Sequence, residues 1–318
     1  MSYSVLIIGL GNIGCGYDLN LDSRFVYSHA RAFDQHTKFN VVGGVDLDEN
    51  KRAIFNKVYN CQIYKNIEDA LHVLKPDVVV ISVSTEHHGK VLKEVLNKLQ
   101  PKAILCEKPI SYDLDEAEYI VEECIKNNIS LYVNYIRRSE PGAIEIKKRI
   151  DSGAMGNSFK GVVWYSKGFF HNGSHFFNLL EYWLGATQSS LVLNHGRYWN
   201  ETDPEPDVQV EFEHGKVVFL SAWEEAFSHY SIELVSKNGR LSYVQGGKII
   251  EWQATIKDPT LNNYTVLSES VEKIHSEMDR YQWHVASQLA KAMDGQQSNL
   301  CIGIDALKTL KNMHKVLK

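Results

Sequence analysis

The chain has 318 residues, 44% of them hydrophobic and 23% charged, an ordinary globular composition at about twice the length of a typical domain, so two domains or one large one are expected. A formal charge of -5 and a sequence pI near 6.2 supply no basic field for a nucleic acid backbone or an anionic membrane. The longest apolar stretches, such as residues 78–83, fall far short of the roughly 20 residues of a spanning helix, which predicts a soluble protein with neither nucleic acid nor membrane as partner.

From residue 4 to about 135, short apolar runs alternate with amphipathic stretches, the pattern of βαβ units. The runs are Val5–Ile8, Asn40–Val45, Val78–Ile81, Ala103–Leu105 and Leu131–Val133, and their continuous apolar character predicts parallel strands covered on both faces. Helical periodicity marks Asp69–Leu74, His87–Leu99 and Leu114–Lys126, the last with Asp113 as N-cap and Asn127-Asn128 as stop. After Pro141-Gly142 the texture changes to a helix (Ala143–Ile150) followed by strands at Phe159–Ser166, Leu191–Tyr198, Val208–Phe212, Val217–Ala222, Ile232–Val235, Leu241–Val244 and Lys248–Trp252. The dipeptides His214-Gly215, Asn238-Gly239 and Gly246-Gly247 turn most neighbours into antiparallel hairpins of a large open sheet. Helices are expected at His175–Leu184, closed by Gly185, and at Met278–Met293 and Ile304–Leu317. The fold class is therefore an α/β Rossmann domain, residues 1–135, and an α+β domain, residues 136–318, for substrate binding and oligomerisation, whose terminal helices can pack back on the first domain.

The N-terminus has no basic leader region or small-residue cleavage site, which argues against secretion. Five cysteines, odd in number and never spaced CxxC, fit a reducing cytoplasm. Cys106 is expected to pack as a small hydrophobe, whereas Cys15, beside a glycine loop, stands where a thiol can be exposed; neither is assigned catalysis.

Gly9-Leu10-Gly11-Asn12-Ile13-Gly14 is a GxGxxG directly after the first strand, the context in which backbone amides approach a pyrophosphate. At the end of the second strand, Asp46 can accept hydrogen bonds from adenosine ribose hydroxyls while repelling a 2′-phosphate, which favours NAD over NADP. Asp46 lies 32 residues beyond Gly14, against the usual ~20, and the segment Cys15–Tyr27 accounts for the excess. That insertion either lengthens the loop over the phosphates, reaches toward substrate, or is a solvated loop. Glu107-Lys108-Pro109 places a lysine at the carboxyl end of a parallel strand, where open α/β sheets bind ligands, in a rigid turn whose proline can be cis. His171 and His175 stand four apart at a loop-to-helix boundary, but no carboxylate or thiol motif accompanies them, and no metal is expected. Tyr135 and Arg137 leave the last parallel strand as candidate substrate contacts; Arg137 either binds a carboxylate or pyrophosphate or makes a solvated linker salt bridge. Trp164, Tyr165 and Lys167 are candidate sugar contacts, with sheet packing the alternative.

Together these three clusters resemble the glucose-fructose oxidoreductase, inositol dehydrogenase and MocA family over nearly the whole chain, with Glu107-Lys108-Pro109 the most specific element. The resemblance implies an NAD(P)-dependent dehydrogenase or reductase of sugars, cyclitols or nucleotide-linked sugars, with Lys108 at the reacting hydroxyl and the nicotinamide ribose and His175 as the proton-transfer residue. It also brings Ser82, Val83, Ser84 and His88 to the nicotinamide end, beside Glu107 and Pro109, and makes His171 and Asn172 substrate contacts. Two features depart from the family pattern. The usual Asp-x-Gly-x-His-x-x-Asp reads here His171-Asn172-Gly173-Ser174-His175-Phe176-Phe177-Asn178, with both acids replaced, and Ser82–His88 lacks the common Thr-Pro-Asn form. The segment His-Asn-Gly-Ser-His is similar to relatives of surface-polysaccharide sugar synthesis. Two other readings stay open, an epimerase or lyase that recycles its NAD and a non-catalytic NAD-binding regulator. The exposed face of the open sheet predicts a homodimer or homotetramer.

Overall fold

The computed structural model describes residues 2–223, 226–261 and 263–317. By compactness the chain divides into one unit of Met1–Ser139 with Asp279–Lys308 and another of Glu140–Met278 with Thr309–Lys318. The boundary read from sequence, 135/136, assigns the terminal helices to the second domain; the structural division gives Asp279–Lys308 to the first unit.

In the first unit β1 (Tyr3–Ile8), α1 (His29–Gln35), β2 (Phe39–Val45), α2 (Glu49–Tyr59), β3 (Gln62–Tyr64), α3 (Ile67–Val73), β4 (Val78–Ile81), α4 (His88–Lys98), β5 (Ala103–Cys106), α5 (Leu114–Lys126) and β6 (Ser130–Val133) alternate. The parallel order β6-β5-β4-β1-β2-β3 is the doubly wound one, with its switch point between β1 and β4. Every residue of β4 and β5 is buried, as continuous Val/Ile/Leu runs require of strands covered on both faces. Caps follow side-chain chemistry: Asp48, Asn66 and Asp113 accept backbone N–H groups at the starts of α2, α3 and α5. Helices α1 and α2 and the edge strand β3 have no counterpart in the sequence reading. In α2 only Phe55 is buried, and β3 is three residues of mostly exposed edge, so neither carries strong periodicity.

The second unit contains α6 (Pro141–Asp151), β7 (Phe159–Tyr165), α7 (Ser174–Leu184), β8 (Thr187–Tyr198), β9 (Pro204–Phe212), β10 (Gly215–Ser221), β11 (Ser231–Ser236), β12 (Gly239–Val244), β13 (Ile249–Lys257), β14 (Thr265–Leu267) and β15 (Glu272–Ile274). Its sheet runs β14-β13-β12-β11-β7-β10-β9-β8, antiparallel except for the β7–β10 pair, with β15 also on β13. Register aligns a buried row across it, Ile250, Tyr243, Ile232, Val163, Phe219 and Val208, each at most 2% exposed. Phe177 of α7 packs on this row, 5.6 Å from Phe219 between ring centroids. The adjacent row, Glu233, Val162, Val218, Gln209 and Leu191, lies on the opposite face and is open, Leu191 being 57% exposed. The chain ends with α8 (Tyr281–Met293), β16 (Cys301–Ile302), which adds an antiparallel edge beside β6, and α9 (Gly303–Val316). Among the described residues no helix is long and apolar enough to cross a membrane.

Candidate active site

At the carboxyl end of β1 the chain turns at Gly9 with φ +96°, where a Cβ would lie 2.6 Å from the Ser82 carbonyl carbon. A Cβ on Gly14 would stand 2.0 Å from the Gly9 oxygen, so both glycines are required by backbone packing. Gly11 is different: a Cβ there would meet nothing within 4 Å, because it would project into open space. That space belongs to a cavity of about 620 Å³ lined by Gly9, Gly11, Asp46, Ser82, Val83 and Ser84 of the predicted set. Asn12, Ile13 and Gly14 lie outside its lining, in a single π-helical turn, Asn12–Gly16, rather than in the first turn of a long helix. Ser82 clamps the glycine turn by donating to the Gly9 carbonyl at 2.8 Å. Asp46 accepts the N–H of Leu10 at 2.7 Å through Oδ2 and that of Asp48 at 2.9 Å through Oδ1.

His88 does not line the cavity; His87 does. The His88 ring is fully buried, with Nδ1 3.0 Å from the Pro109 carbonyl and Nε2 3.1 Å from that of Val83, and burial pushes its pKa down. It therefore ties the loop after β4 to the loop after β5.

Glu107 follows β5, its N–H bonded to the Ile81 carbonyl at 2.9 Å, and the Lys108–Pro109 peptide is cis. Its buried carboxylate accepts His29 Nε2 at 2.8 Å and Asn134 Nδ2 at 2.6 Å. Burial pushes this carboxyl up, but the bond and charge of His29, the bond from Asn134 and the charge of Lys108 more than offset it, leaving the pKa below the ordinary value. Lys108 itself is half-buried. His29 comes after the insertion, which closes on itself. Asp18, fully buried, accepts the N–H groups of Tyr27 at 2.7 Å and Ser28 at 2.8 Å and the Ser28 hydroxyl at 2.6 Å, and Arg31 holds the Leu21 and Phe25 carbonyls. These bonds anchor the two ends of the segment, while residues 20–24 between them are exposed, as in a solvated loop. Cys15 is not exposed: it is 2% accessible, and burial, with the Asp18 charge, pushes its thiol up to about 11. Cys106 is buried as expected. Tyr135 and Arg137 are 4% and 8% exposed, so Arg137 is no solvated linker side chain; Arg138 pairs with Asp305 at 3.4 Å.

In the second unit His171 and Asn172 lie in a π-helical turn, Gly168–Gly173, that leads into α7. Two buried carboxylates hold this turn. Asp203 accepts the N–H groups of Phe170 and His171 at 2.9 and 2.8 Å, and Glu205 accepts that of Gly168 at 3.1 Å while pairing with Arg197 at 2.9 Å. The His171 ring stacks on Trp199 at 5.0 Å, and Asn172 donates to the Ser166 carbonyl at 2.9 Å and the Tyr230 hydroxyl at 3.0 Å. His175 occupies the first turn of α7, half-buried, with Nδ1 inside. Asn178 is buried and donates to the Thr309 hydroxyl at 3.0 Å, a packing role. Tyr165 is no sugar contact: it is fully buried and donates to the Pro206 carbonyl at 2.6 Å, with burial raising its pKa far above that of a free phenol. Trp164 is 40% exposed on the open face. Among the described residues no group of three or more His, Cys, Asp or Glu is arranged to hold a metal ion.

Residues 3–135 match the model of the GFO_IDH_MocA oxidoreductase family, described by its NAD-binding Rossmann fold. A curated relative, the NAD⁺-dependent scyllo-inositol 2-dehydrogenase of Bacillus subtilis (strain 168), is 30% identical over 155 residues, 43% of this chain and 44% of the relative. The alignment thus spans under half of that relative's length. Over nearly the full chain the fold is similar to that of a UDP-N-acetylglucosamine 3-dehydrogenase from Acidithiobacillus ferrooxidans (TM-score 0.77, 14% identity, covering 99% of this chain and 96% of that one). It is also similar to the WlbA dehydrogenase of Bordetella pertussis in complex with NADH and UDP-GlcNAcA (TM-score 0.75, 14% identity, 100% and 97% covered).

In the first unit, sequence reasoning missed His29, Gln282 and Asp18, which carry no motif and are brought in by α1, α8 and the insertion. In the second unit it missed Asp203 and Glu205. Their signal was present in Asn200-Glu201-Thr202-Asp203-Pro204-Glu205-Pro206-Asp207, where acids alternate with prolines at a turn.

Proposed function

We propose that the chain is an NAD-dependent oxidoreductase acting on a secondary alcohol or ketone of a sugar, cyclitol or nucleotide-linked sugar. One observation carries the reading: the open glycine cradle at Gly11 and the Asp46 carboxylate share one cavity at the carboxyl ends of β1 and β2, in the same sheet whose β5 ends in Glu107-Lys108-Pro109. These residues fit a dinucleotide, since Gly11 leaves its backbone approachable and Asp46 retains lone pairs for ribose hydroxyls. NAD would be held by Gly9, Gly11, Asp46, Ser82, Val83 and Ser84, with Asn12, Ile13, Gly14 and His88 shaping the loops around them. When bound, it supplies the two-electron acceptor for alcohol oxidation.

The protein's part is electrostatic and acid–base. The Lys108 ammonium stabilises negative charge growing on the substrate oxygen, and His175 takes the hydroxyl proton, as imidazole chemistry near neutral pH allows. His171 and Asn172 are the proposed substrate contacts, while Tyr135 and Arg137 serve as buried supports of the segment after β6. The inositol dehydrogenase relative and the UDP-sugar dehydrogenase neighbours support the substrate class. The reading includes a reducing cytoplasm, supported by five cysteines without a disulfide, and a homodimer or homotetramer, supported by the open row at Leu191 and Trp164. A monomer at micromolar concentration in sedimentation would contradict the assembly.

The test is cofactor reduction followed by absorbance with NAD⁺ or NADP⁺ and a panel of sugars, cyclitols and UDP-, GDP- and dTDP-sugars. Reduction of NAD⁺ with one substrate class is the expected result. Silence across the panel with NAD bound would turn the reading toward internal recycling or a regulator.

A further inference from the structure

Four buried side chains of the first unit cluster behind the Glu-Lys-Pro turn. Asn134 Nδ2 donates to Glu107 Oε1 at 2.6 Å and to Gln282 Oε1 at 3.3 Å. Gln282 Nε2 lies 2.6 Å from His29 Nδ1, and His29 Nε2 lies 2.8 Å from the same Glu107 oxygen. His29, Asn134 and Gln282 are each 1% exposed and Glu107 8%, so bulk water does not relax the pattern.

The carboxylate sets the direction. An ionised carboxylate only accepts, so both groups meeting Oε1 must donate: Asn134 turns Nδ2 inward, and His29 carries its proton on Nε2. Asn134 Oδ1 is left buried without a hydrogen-bond partner among the described residues, which is the cost of that orientation. Because Nδ2 also meets Gln282 Oε1, Gln282 presents its amide nitrogen to His29. That nitrogen is 2.6 Å from Nδ1 and 3.0 Å from Nε2, so it lies against the imidazole between its two nitrogens rather than along the in-plane lone pair of either. Reversing either amide sets two acceptors or two donors face to face.

We infer that this cluster is a positioning device, in which His29 and Asn134, the latter backed by Gln282, hold Glu107 as a fixed acceptor beside Lys108. The three act through Glu107 and are positioning residues, and the inference rests on the proposed role of Lys108. The Lys108 charge already contributes to stabilising the Glu107 carboxylate.

The first test reads the contact itself. Long-range ¹H–¹⁵N imidazole spectra of the full chain labelled at histidine, with His29 assigned by loss of its signals in His29→Gln, should show a proton on His29 Nε2. A wild-type His29 with its proton on Nδ1 alone would overturn the arrangement. The second test reads positioning: Gln282→Leu should lower kcat by about tenfold or more on whichever substrate the cofactor-reduction panel identifies, with NAD⁺ affinity within about twofold, and His29→Gln should retain more activity than His29→Leu. An unchanged kcat in folded Gln282→Leu would overturn it. If the wild type reduces no cofactor, the functional reading fails, while the imidazole spectrum still decides the contact of His29 with Glu107.

Discussion

The Asp46 carboxylate holds the backbone N–H of Leu10 at 2.7 Å, so the residue that follows β2 also fixes the glycine turn that leaves β1. One side chain thereby both fixes the turn and lines the cavity. Replacing it, as in Asp46→Ser, removes both a charge-assisted hydrogen bond, typically worth about 1.5–3 kcal/mol, and the repulsion of a 2′-phosphate. NAD⁺ affinity should fall about tenfold or more, and the NAD⁺/NADP⁺ affinity ratio should fall with it; calorimetric titration of both cofactors measures this.

The second and third glycines of the motif separate packing from binding. Gly14→Ala drives a Cβ to 2.0 Å from the Gly9 oxygen and should lower the melting temperature as well as cofactor affinity. Gly11→Ala meets no protein atom within 4 Å and should change stability by no more than about 0.5 kcal/mol while weakening NAD⁺ binding. Thermal melts beside NAD⁺ titrations distinguish the two.

Lys108→Ala and His175→Ala should each reduce kcat about a hundredfold or more, the typical loss for one preorganised electrostatic or acid–base group, with NAD⁺ affinity nearly intact. Full rates in both variants would remove these residues from the chemistry.

The parallel half of the fold was legible because its strands are continuous apolar runs and its phosphate loop has a fixed position, and the hairpins because turn dipeptides punctuate them. Helix α2 was not, since only Phe55 of it is buried and its periodicity is correspondingly faint. In the site, Gly9, Gly11, Asp46 and Glu107 announced themselves by motif. His29 and Gln282 could not, because their contacts with Glu107 and with each other span separations of 78 and 253 residues and depend on how α1 and α8 pack. His88 shows the opposite difficulty: a motif position suggested contact with cofactor, whereas its ring is spent on backbone carbonyls.

Cys15 gives a pH-dependent prediction. Its thiol ionises at about 11 in the folded chain against 9.0 ordinarily, so below pH 9 both states are protonated and nothing is lost. Above pH 9 the unfolded thiol ionises first, and stability falls progressively toward pH 11. Cys15→Ala should flatten that alkaline decline in denaturant melts, leaving the other cysteines' share. At pH 8 the wild-type Cys15 should resist iodoacetamide until the chain is unfolded, as read by mass spectrometry.

The most direct measurement follows the hydrogen itself. The chain is incubated with NAD⁺ and substrates deuterated at the carbinol carbon, and the cofactor is analysed by mass spectrometry. The account predicts deuterium in the reduced cofactor with wild type and its loss in Lys108→Ala with NAD⁺ still bound. No label in the cofactor from any sugar, cyclitol or nucleotide-linked sugar, with NAD⁺ demonstrably bound, would contradict it.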